Sequence, residues 1–306
     1  AVTLRDFYLE WAQRQVWAPG ARRHMDMVVR GVPFAGSPLR AIRRSHIELW
    51  VKDMVDRGMA PQTTQNRLRS LRTVFRAAVN DRVIVEDPTV MVRTPRIARK
   101  EERLVIPCPA QVAQILSASG GEMRAYVCLC ALAGLRLGEA SALRGSDIDF
   151  LRRTIQVQRQ VQPRPGRGLE VREPKYGSTR TVYAPDQLLE ELAQHMKRYG
   201  RHPDDYLFQV SPGSPISPTT VDSRWRRIVQ RAGLSGLHLH SLRHFFASGL
   251  IAQGCDVVTV QRALGHSRPS TTLDTYGNLS RLVRFLRRAH RRGDRLHRGG
   301  DAGTSP

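Results

Sequence analysis

Four side chains with reactive chemistry lie in one short stretch near the end of the chain. His240 and Arg243 are three residues apart, so they share a face if the stretch is helical. His266 follows a Leu-Gly pair, and Tyr276 comes shortly after it. Imidazoles transfer protons, guanidinium groups hold anionic oxygens, and a phenol becomes a nucleophile when it is deprotonated. The stretch therefore gathers acid–base, anion-binding and nucleophilic groups.

Local signals predict how this stretch folds. Asp256 is the predicted N-cap of an apolar helical run that Gly265 ends, which leaves His266 just beyond the helix. A run of hydroxyl side chains at 270–272 then opens a short helix that carries Tyr276. Taken singly, each reactive residue also has an ordinary structural explanation, such as a packed tyrosine or a solvated helix edge.

Taken together, the motifs resemble the signature of the tyrosine recombinases, also called the phage integrase family. The His-Ser-Leu-Arg string at 240–243, the Leu-Gly-His string at 264–266 and Tyr276 occur in that family's order and at similar spacing. The Ala-Gly-Leu-Arg-Leu-Gly-Glu string at 133–139 is similar to the family's string around its first catalytic arginine. The resemblance implies a mainly α fold with a small antiparallel β-sheet in the second domain. A helical, SAM-like core-binding domain would precede an α+β catalytic domain.

The resemblance also implies a reaction, DNA strand cleavage that conserves the energy of the phosphodiester. It assigns the nucleophile to Tyr276, with a 3′-phosphotyrosine and a free 5′-hydroxyl as products. Arg136 and Arg243 would hold the non-bridging phosphate oxygens and concentrate positive charge there. No acidic cluster suited to Mg²⁺ accompanies the motifs, so we expect no metal, ATP or other cofactor.

Further side chains are expected to handle protons. By the same resemblance, His240 accepts the phenol proton or bonds the phosphorane, and His266 donates to a phosphate oxygen. Lys175, on the approach to a predicted hairpin, protonates the departing 5′-oxygen. Glu139 is expected instead to orient a neighbour or to cap a backbone group.

The charge of the chain favours a nucleic-acid partner. Its 306 residues include 49 Lys and Arg against 27 Asp and Glu, a formal net charge of +22, and the pI is near 11.2. Cations placed on phosphates release condensed counterions, so nucleic acid is the first expectation and an anionic membrane surface the alternative. No apolar run approaches the roughly 20 residues of a membrane span, and no signal peptide is evident. We expect a soluble protein of the bacterial cytoplasm with no membrane partner.

The cysteines, at 108, 128, 130 and 255, have neither zinc-finger nor Cys-x-x-Cys spacing. Cys128 and Cys130 lie in an apolar, helix-like run, and Cys255 lies beside a helix cap. We therefore predict reduced thiols, a reducing compartment and no structural metal.

The pattern of apolar residues predicts four segments. Residues 1–92 form the helical core-binding domain, and 93–107 form an extended basic linker punctuated by prolines. Residues 108–292 form the catalytic domain and include a basic C-terminal helix, which by resemblance docks onto a neighbouring protomer. Residues 293–306 are predicted to be a disordered tail.

Element starts and buried faces are predicted from caps and periodicity. Ser45 and Glu48 indicate a capping box, Pro61 can begin the next helix, and Ser217 begins another. Strands are predicted at 154–157 and 180–183. The predicted buried stripes are Leu4, Phe7, Tyr8 and Trp11; Leu68, Leu71, Val74, Phe75 and Ala78; and Val221, Trp225, Ile228 and Val229.

Basic side chains outside these stripes are candidates for DNA contact. Such faces are often merely solvated, but the overall charge favours binding. The candidates are Arg67, Arg69, Arg72, Arg76, Arg99, Lys100, Arg224 and Arg227.

The resulting hypothesis is a site-specific recombinase that integrates or excises a phage or mobile element at double-stranded attachment sites. A homo-tetramer would form the active synapse, with a DNA-bending host factor and an excision directionality factor as further partners. No arm-binding domain precedes the core-binding domain and the chain begins at Ala1, so we expect a truncated integrase. A Xer-like dimer resolvase, a type IB topoisomerase and a catalytically silent DNA-binding accessory protein are the alternatives.

Overall fold

The computed structural model describes residues 1–95, 105–164, 168–174, 177–273 and 275–276. The chain divides into two compact units, Ala1–Glu102 and Arg103–Pro306. The division lies within the predicted linker, and the predicted domain bounds themselves stay a prediction. In the described part of the chain, none of the helices has the length and apolar character needed to cross a bilayer.

The first unit is a set of helices around one apolar core. The helices are α1 (Leu4–Gln13), α2 (Pro19–Arg30), α3 (Arg44–Asp56) and α4 (Pro61–Asn80), with a 3₁₀ turn at Leu39–Ala41. Helix α4 packs against α1, α2 and α3. Both stripes predicted for this unit are buried, and Leu71, Val74 and Phe75 of α4 are fully enclosed. The sequence therefore predicted the inner faces of α1 and α4.

The capping box predicted at Ser45 and Glu48 is wrong. Arg43 takes the N-cap position, two residues before the predicted one, and helix α3 begins at Arg44. The Nδ1 atom of His46 accepts a hydrogen bond from the Arg43 backbone N–H at 3.0 Å. The imidazole thus satisfies the backbone donor of the N-cap residue, as the Glu side chain does in an ordinary capping box.

The second unit is mainly helical. Its helices are α5 (Pro109–Ala118), α6 (Glu122–Leu132), α7 (Leu137–Ser141), α8 (Asp186–Tyr199), α9 (Pro218–Arg231), α10 (His240–Ala252) and α11 (Val257–Leu264), and residues 269–273 and 275–276 are also helical. As predicted, Ser217 caps α9 by accepting from the Thr220 backbone N–H at 3.0 Å. The helical segment predicted to carry Tyr276 is also confirmed.

The strands of the second unit form small antiparallel sheets. They are β1 (Ile148–Asp149), β2 (Thr154–Val157), β3 (Gln160–Arg164), β4 (Gly168–Arg172), β5 (Arg180–Tyr183), β6 (Gln209–Ser211) and β7 (Ser214–Pro215). The strand orders are β1-β2-β5, β3-β4 and β6-β7. In the first sheet Ile155 of β2 lies opposite Val182 of β5, and both side chains are buried. The predicted fold class, mainly α with antiparallel β-structure in the second domain, is confirmed.

Helix α6 forms the centre of the second unit. It packs against α8 and α10, and Leu129 on it is fully buried. The Tyr126 hydroxyl of α6 donates to the Leu137 carbonyl at 2.6 Å, which fixes the start of α7. Cys128 and Cys130 are buried free thiols, and Cys108 and Cys255 are free as well, as the predicted reduced state requires. Helix α10, which carries Arg243, and helix α7, which Arg136 directly precedes, therefore both rest on α6.

We predict that Leu129→Ala lowers the free energy of unfolding of this unit by about 2–5 kcal/mol, because the truncation removes apolar contacts and leaves a cavity. The measurement is the urea concentration at which Cys128 and Cys130 become open to alkylation, read by mass spectrometry. Leu151→Ala is the matched control, since Leu151 is 97% exposed. Equal shifts in the two variants would contradict the assignment of Leu129 to the core.

Candidate active site

Helix α10 presents its reactive side chains from its first turns. His240, Arg243 and His244 have the i, i+3, i+4 spacing of one helix face. Arg243 is only 1% exposed, and it donates to the Gly134 carbonyl at 2.6 Å and to the Leu264 carbonyl. Burial, followed by the charge of a neighbouring arginine, lowers the pKa of Arg243 to about 9, so the group stays cationic at neutral pH.

Arg136 stands directly before α7, and Glu139 holds it there. Glu139 accepts from the Arg136 backbone N–H at 2.9 Å and from Nη1 of Arg136 at 2.6 Å. Nη2 of Arg136 donates to the Gly265 carbonyl at 2.8 Å, while 31% of the side chain stays exposed. The prediction that Glu139 orients a neighbour or caps a backbone group is confirmed, and both happen at Arg136. The exposed part of this guanidinium can receive an anionic oxygen.

Arg180, on β5, adds a further guanidinium that the sequence analysis missed. It donates to Glu139 from Nη2 at 2.8 Å and from Nη1 at 3.1 Å, and from Nε to the Ala263 carbonyl at 2.9 Å. Burial alone would raise the pKa of Glu139, but the hydrogen bonds and charge of Arg180, together with Arg136, lower it to about 2. In the sequence Arg180 is only a polar residue beginning a strand, so its partners become visible only in three dimensions.

The end of α11 lies against these arginines. Asp256 caps the helix by accepting from the backbone N–H groups of Val258 and Thr259 at 2.8 and 3.0 Å. Gly265 ends it with a φ of +63°, and a Cβ at this position would lie 2.9 Å from Nη1 of Arg180. The cap and the stop predicted from the sequence are therefore both confirmed.

His266 follows directly and lies beside the cationic groups. Its Nδ1 is 2.9 Å from the hydroxyl of Thr272, a buried member of the predicted hydroxyl run. Desolvation, with the charges of Arg243 and Arg136, lowers the pKa of His266 to about 4. The imidazole is therefore neutral at pH 7 before any anion arrives.

Tyr276 is enclosed by apolar side chains of α10 and α11 and is 2% exposed. Its hydroxyl is 2.5 Å from Nδ1 of His244, and the two rings meet at 63° with their centroids 5.6 Å apart. Burial raises the pKa of Tyr276 to about 12, although the charge of Arg243 opposes this. The phenol is therefore neutral and has an imidazole as its hydrogen-bonding partner.

The partner of the phenol differs from the one expected from the sequence. The resemblance had given His240 the proton-accepting or phosphorane-bonding role, whereas the ring in contact with Tyr276 is that of His244. The His240 ring stands edge-on to the His244 ring at a centroid distance of 4.7 Å and is the more exposed of the two. Helical spacing could have identified His244, because it lies one turn after His240 on the same face.

The described site carries more positive than negative charge. Arg136, Arg180 and Arg243 surround a single buried carboxylate, that of Glu139. In the described ranges no group of three or more His, Cys, Asp or Glu side chains could hold a metal ion. Fixed positive charge of this kind suits an anionic ligand such as a phosphate.

The remaining predicted residues are only partly described. Lys175 and the linker residues Arg99 and Lys100 lie outside the described residues. Arg72 donates to the hydroxyl and carbonyl of Thr89 at 3.3 and 3.1 Å, and Arg224 pairs with Glu122 at 3.3 Å. DNA contact stays a prediction for these candidates and for Arg67, Arg69, Arg76 and Arg227.

Comparison of sequences identifies related proteins. The profile of the phage integrase family matches residues 108–281. A tyrosine recombinase of Pseudothermotoga lettingae is 30% identical over 241 residues, which covers 76% of this chain and 77% of the relative. The tyrosine recombinase XerC of Anoxybacillus flavithermus is 26% identical over 239 residues, which covers 76% of this chain and 77% of that relative.

Solved structures share the fold. The Tn1549 transposon integrase, in complex with a circular intermediate DNA, matches with a TM-score of 0.78 at 22% identity, covering 90% of this chain and 95% of that one. A lambda integrase tetramer bound to a Holliday junction matches with a TM-score of 0.70 at 20% identity, covering 90% of this chain and 77% of that one. With the family profile spanning most of the second unit and a 30% identical relative across both units, this chain belongs to the phage integrase family, the tyrosine recombinases.

Proposed function

We propose that this chain cleaves and rejoins DNA strands at specific sites through a 3′-phosphotyrosine intermediate on Tyr276, and so integrates or excises a mobile element. One observation carries the proposal. The Tyr276 phenol is bonded to an imidazole of α10, and the same helix contributes Arg243 to a cluster of guanidinium groups that includes Arg136. Nucleophile, proton acceptor and phosphate-binding charge are thus parts of one site.

The first chemical step is an exchange of one phosphorus–oxygen bond for another. The Tyr276 oxygen attacks the scissile phosphate, the Oη–P bond forms, and the bond to the 5′-oxygen breaks. The covalent intermediate keeps the energy of the original ester, so a DNA hydroxyl can later reverse the step without ATP. Apolar side chains enclose the phenol and exclude the water that would hydrolyse the phosphotyrosine.

The guanidinium groups stabilise the charge that grows on the non-bridging oxygens. Arg136 offers a partly exposed guanidinium, and Arg243 offers a buried one that donates to carbonyl oxygens. Glu139 accepts from Arg136 and Arg180, and one carboxylate cannot neutralise both guanidinium groups. Net positive charge therefore remains to bind the phosphate. We propose on this basis that cleavage needs no metal ion.

Protons are handled by the remaining groups. His240, the exposed first residue of α10, forms a hydrogen bond to the phosphorane. His266 donates to a phosphate oxygen once the bound anion has raised the pKa of this imidazole from about 4. Lys175 protonates the departing 5′-oxygen, in the role implied by the family resemblance.

DNA duplexes carrying attachment sites are the substrate, and the synapse is a tetramer, as in the lambda integrase complex on a Holliday junction. A DNA-bending host factor and a directionality factor are further proposed partners.

A second candidate function is a Xer-like dimer resolvase, which the similarity to XerC proteins favours. A resolvase acts on two copies of one site, whereas an integrase joins two different sites. A plasmid with two identical copies of a selected target site distinguishes them: deletion between the copies by this protein alone favours the resolvase. Sedimentation on the bound site separates either recombinase, a tetramer, from a monomeric type IB topoisomerase.

We predict that Tyr276→Phe abolishes covalent attachment to DNA while site-specific binding is retained, because the substitution removes only the attacking oxygen. The target is obtained by selecting bound duplexes from a random library, and the selected sequence is rebuilt with nicks that trap the cleaved strand. Covalent protein–DNA bands are then counted on denaturing gels in the presence of a metal chelator.

Tyr183→Phe serves as the matched control, since Tyr183 is 80% exposed on β5. This variant should form covalent bands at the wild-type rate. Bands that persist in Tyr276→Phe would disprove the assignment of the nucleophile. Bands in the wild type that vanish only with chelator would disprove the metal-free proposal, and specific binding with no band at all would leave a silent DNA-binding protein.

A further prediction concerns the buried carboxylate. The pKa of Glu139 in the folded protein, about 2, lies below its ordinary value of 4.5, so its contribution to stability is present above pH 4.5 and is lost as the pH falls towards 2. The shift corresponds to about 3 kcal/mol at neutral pH. The free energy of unfolding of Glu139→Gln should be lower than that of the wild type by about this amount, as expected when a buried ion pair is broken.

Urea unfolding followed by circular dichroism, at neutral pH and at about pH 3, measures the difference. The difference in free energy of unfolding between wild type and Glu139→Gln should be smaller at the lower pH, because part of the stabilisation by the wild-type carboxylate is lost there. Glu190→Gln, at an exposed position on α8, is the control and should show no gap at either pH. A gap that is independent of pH would contradict the ion-pair explanation.

A further inference from the structure

We propose that His244 is a catalytic residue, the base that takes the proton of Tyr276 during cleavage and returns it during rejoining. The inference rests on the proposed function and refines it, because it moves the proton-accepting role from His240 to its neighbour one turn along α10. His240 keeps a role at the phosphate.

The contact itself is the first argument. Nδ1 of His244 and the hydroxyl oxygen of Tyr276 are 2.5 Å apart, within the reach required of a general base in its ground state. The His240 ring stands edge-on to the His244 ring at a centroid distance of 4.7 Å. A proton leaving the phenol therefore meets His244 first.

The direction of the hydrogen bond follows from burial. Tyr276 is 2% exposed, so its hydroxyl hydrogen has no water to bond and must be donated to a protein acceptor. The recorded partner is Nδ1 of His244, which accepts only when that nitrogen carries no hydrogen. The neutral imidazole with its hydrogen on Nε2 satisfies the buried phenol, and this tautomer is the one that can act as a base.

Burial and the charge beside His244 keep it neutral in the free protein. The titratable and charged groups that face it in the described residues are His240 and Arg243 on its own helix and Tyr276 from the following segment. Desolvation and the Arg243 cation lower the pKa of His244, so protonation is unfavourable in the free protein. A phosphate bound to Arg243 offsets that cation, and His244 becomes a stronger base when the substrate is in place.

The step balances without any added reagent. The proton moves from Oη of Tyr276 to Nδ1 of His244 as the Oη–P bond forms, and the departing 5′-oxygen takes a different proton from the general acid. When a 5′-hydroxyl attacks the phosphotyrosine, it gives its proton to the deprotonated general acid and a bond forms between phosphorus and the 5′-oxygen. The Oη–P bond breaks, and His244 returns its proton to the phenolate. One imidazole thus serves both half-reactions.

His244→Asn tests the proposal. The Asn side-chain oxygen can take the place of Nδ1 and accept the phenol hydrogen bond, but it cannot hold the proton. We expect specific DNA binding and folding at wild-type levels, with covalent complex formation on the nicked duplex slowed about 10²–10⁴-fold. His202→Asn, at an exposed histidine of the same unit, is the control for the substitution itself and should leave the rate unchanged.

Two further readouts separate a base from a packing residue. In a duplex in which sulfur replaces the 5′-leaving oxygen, no general acid is needed. A cleavage defect at Lys175 should therefore be rescued, whereas the defect of His244→Asn should remain.

The wild-type cleavage rate should also rise with pH and then level off as an imidazole loses its proton. In His244→Asn the plateau should disappear and the rate should keep rising with hydroxide concentration.

The outcomes are distinct. A His244→Asn protein that cleaves within about threefold of wild type, or that is slow but keeps the wild-type plateau, would overturn the proposal and leave His244 a packing or positioning residue. Rescue by the sulfur leaving group would assign His244 to the other proton. In each of these cases wild-type bands that require Tyr276 would still support the recombinase. A wild type without bands would instead overturn the proposed function.

Discussion

The buried carboxylate of Glu139 is the interaction on which the site depends. It is 1% exposed, and it bonds Arg136 and Arg180 at once while capping the backbone before α7. Without its charge, two guanidinium groups would lie together in a poorly solvated place and repel each other. The same two arginines donate to the carbonyls of Ala263 and Gly265. One anion therefore joins the start of α7, strand β5 and the end of α11.

The parts of this arrangement that depend on short-range signals could be predicted from the sequence. The Asp256 cap and the Gly265 stop of α11 are set by neighbouring backbone groups, so residue types alone indicate them. The inner face of α4 follows from helical periodicity in the same way. Family resemblance then placed Arg136 and Arg243 at one phosphate, and the structure brings both to the end of α11.

The parts that depend on pairing across the fold could not be predicted. Arg180 meets Glu139 only because β5 pairs with β2 in the β1-β2-β5 sheet, and no residue near Arg180 in the chain indicates this. His244 meets Tyr276 because Tyr276 packs in one apolar cluster with residues of α10 and α11. The wrong capping box at Ser45 has a related cause, since several polar residues in one turn compete for the cap and the imidazole of His46 takes it.

The covered state of the reactive groups links phosphate binding to the nucleophile. Arg243 and Tyr276 are 1% and 2% exposed, and Arg243 donates hydrogen bonds to the carbonyls of Gly134 and Leu264. A guanidinium has five N–H donors, so a phosphate can bind Arg243 through N–H groups that these two carbonyls do not use. Arg243, Arg136 and Arg180 together hold the carbonyls at the end of α11. That end is connected through His266 to the segment that carries Tyr276. If Arg243 binds the scissile phosphate as proposed, the group that receives the substrate also holds the end of the helix that leads to the nucleophile, so the phosphate site and the position of the phenol are linked through α11.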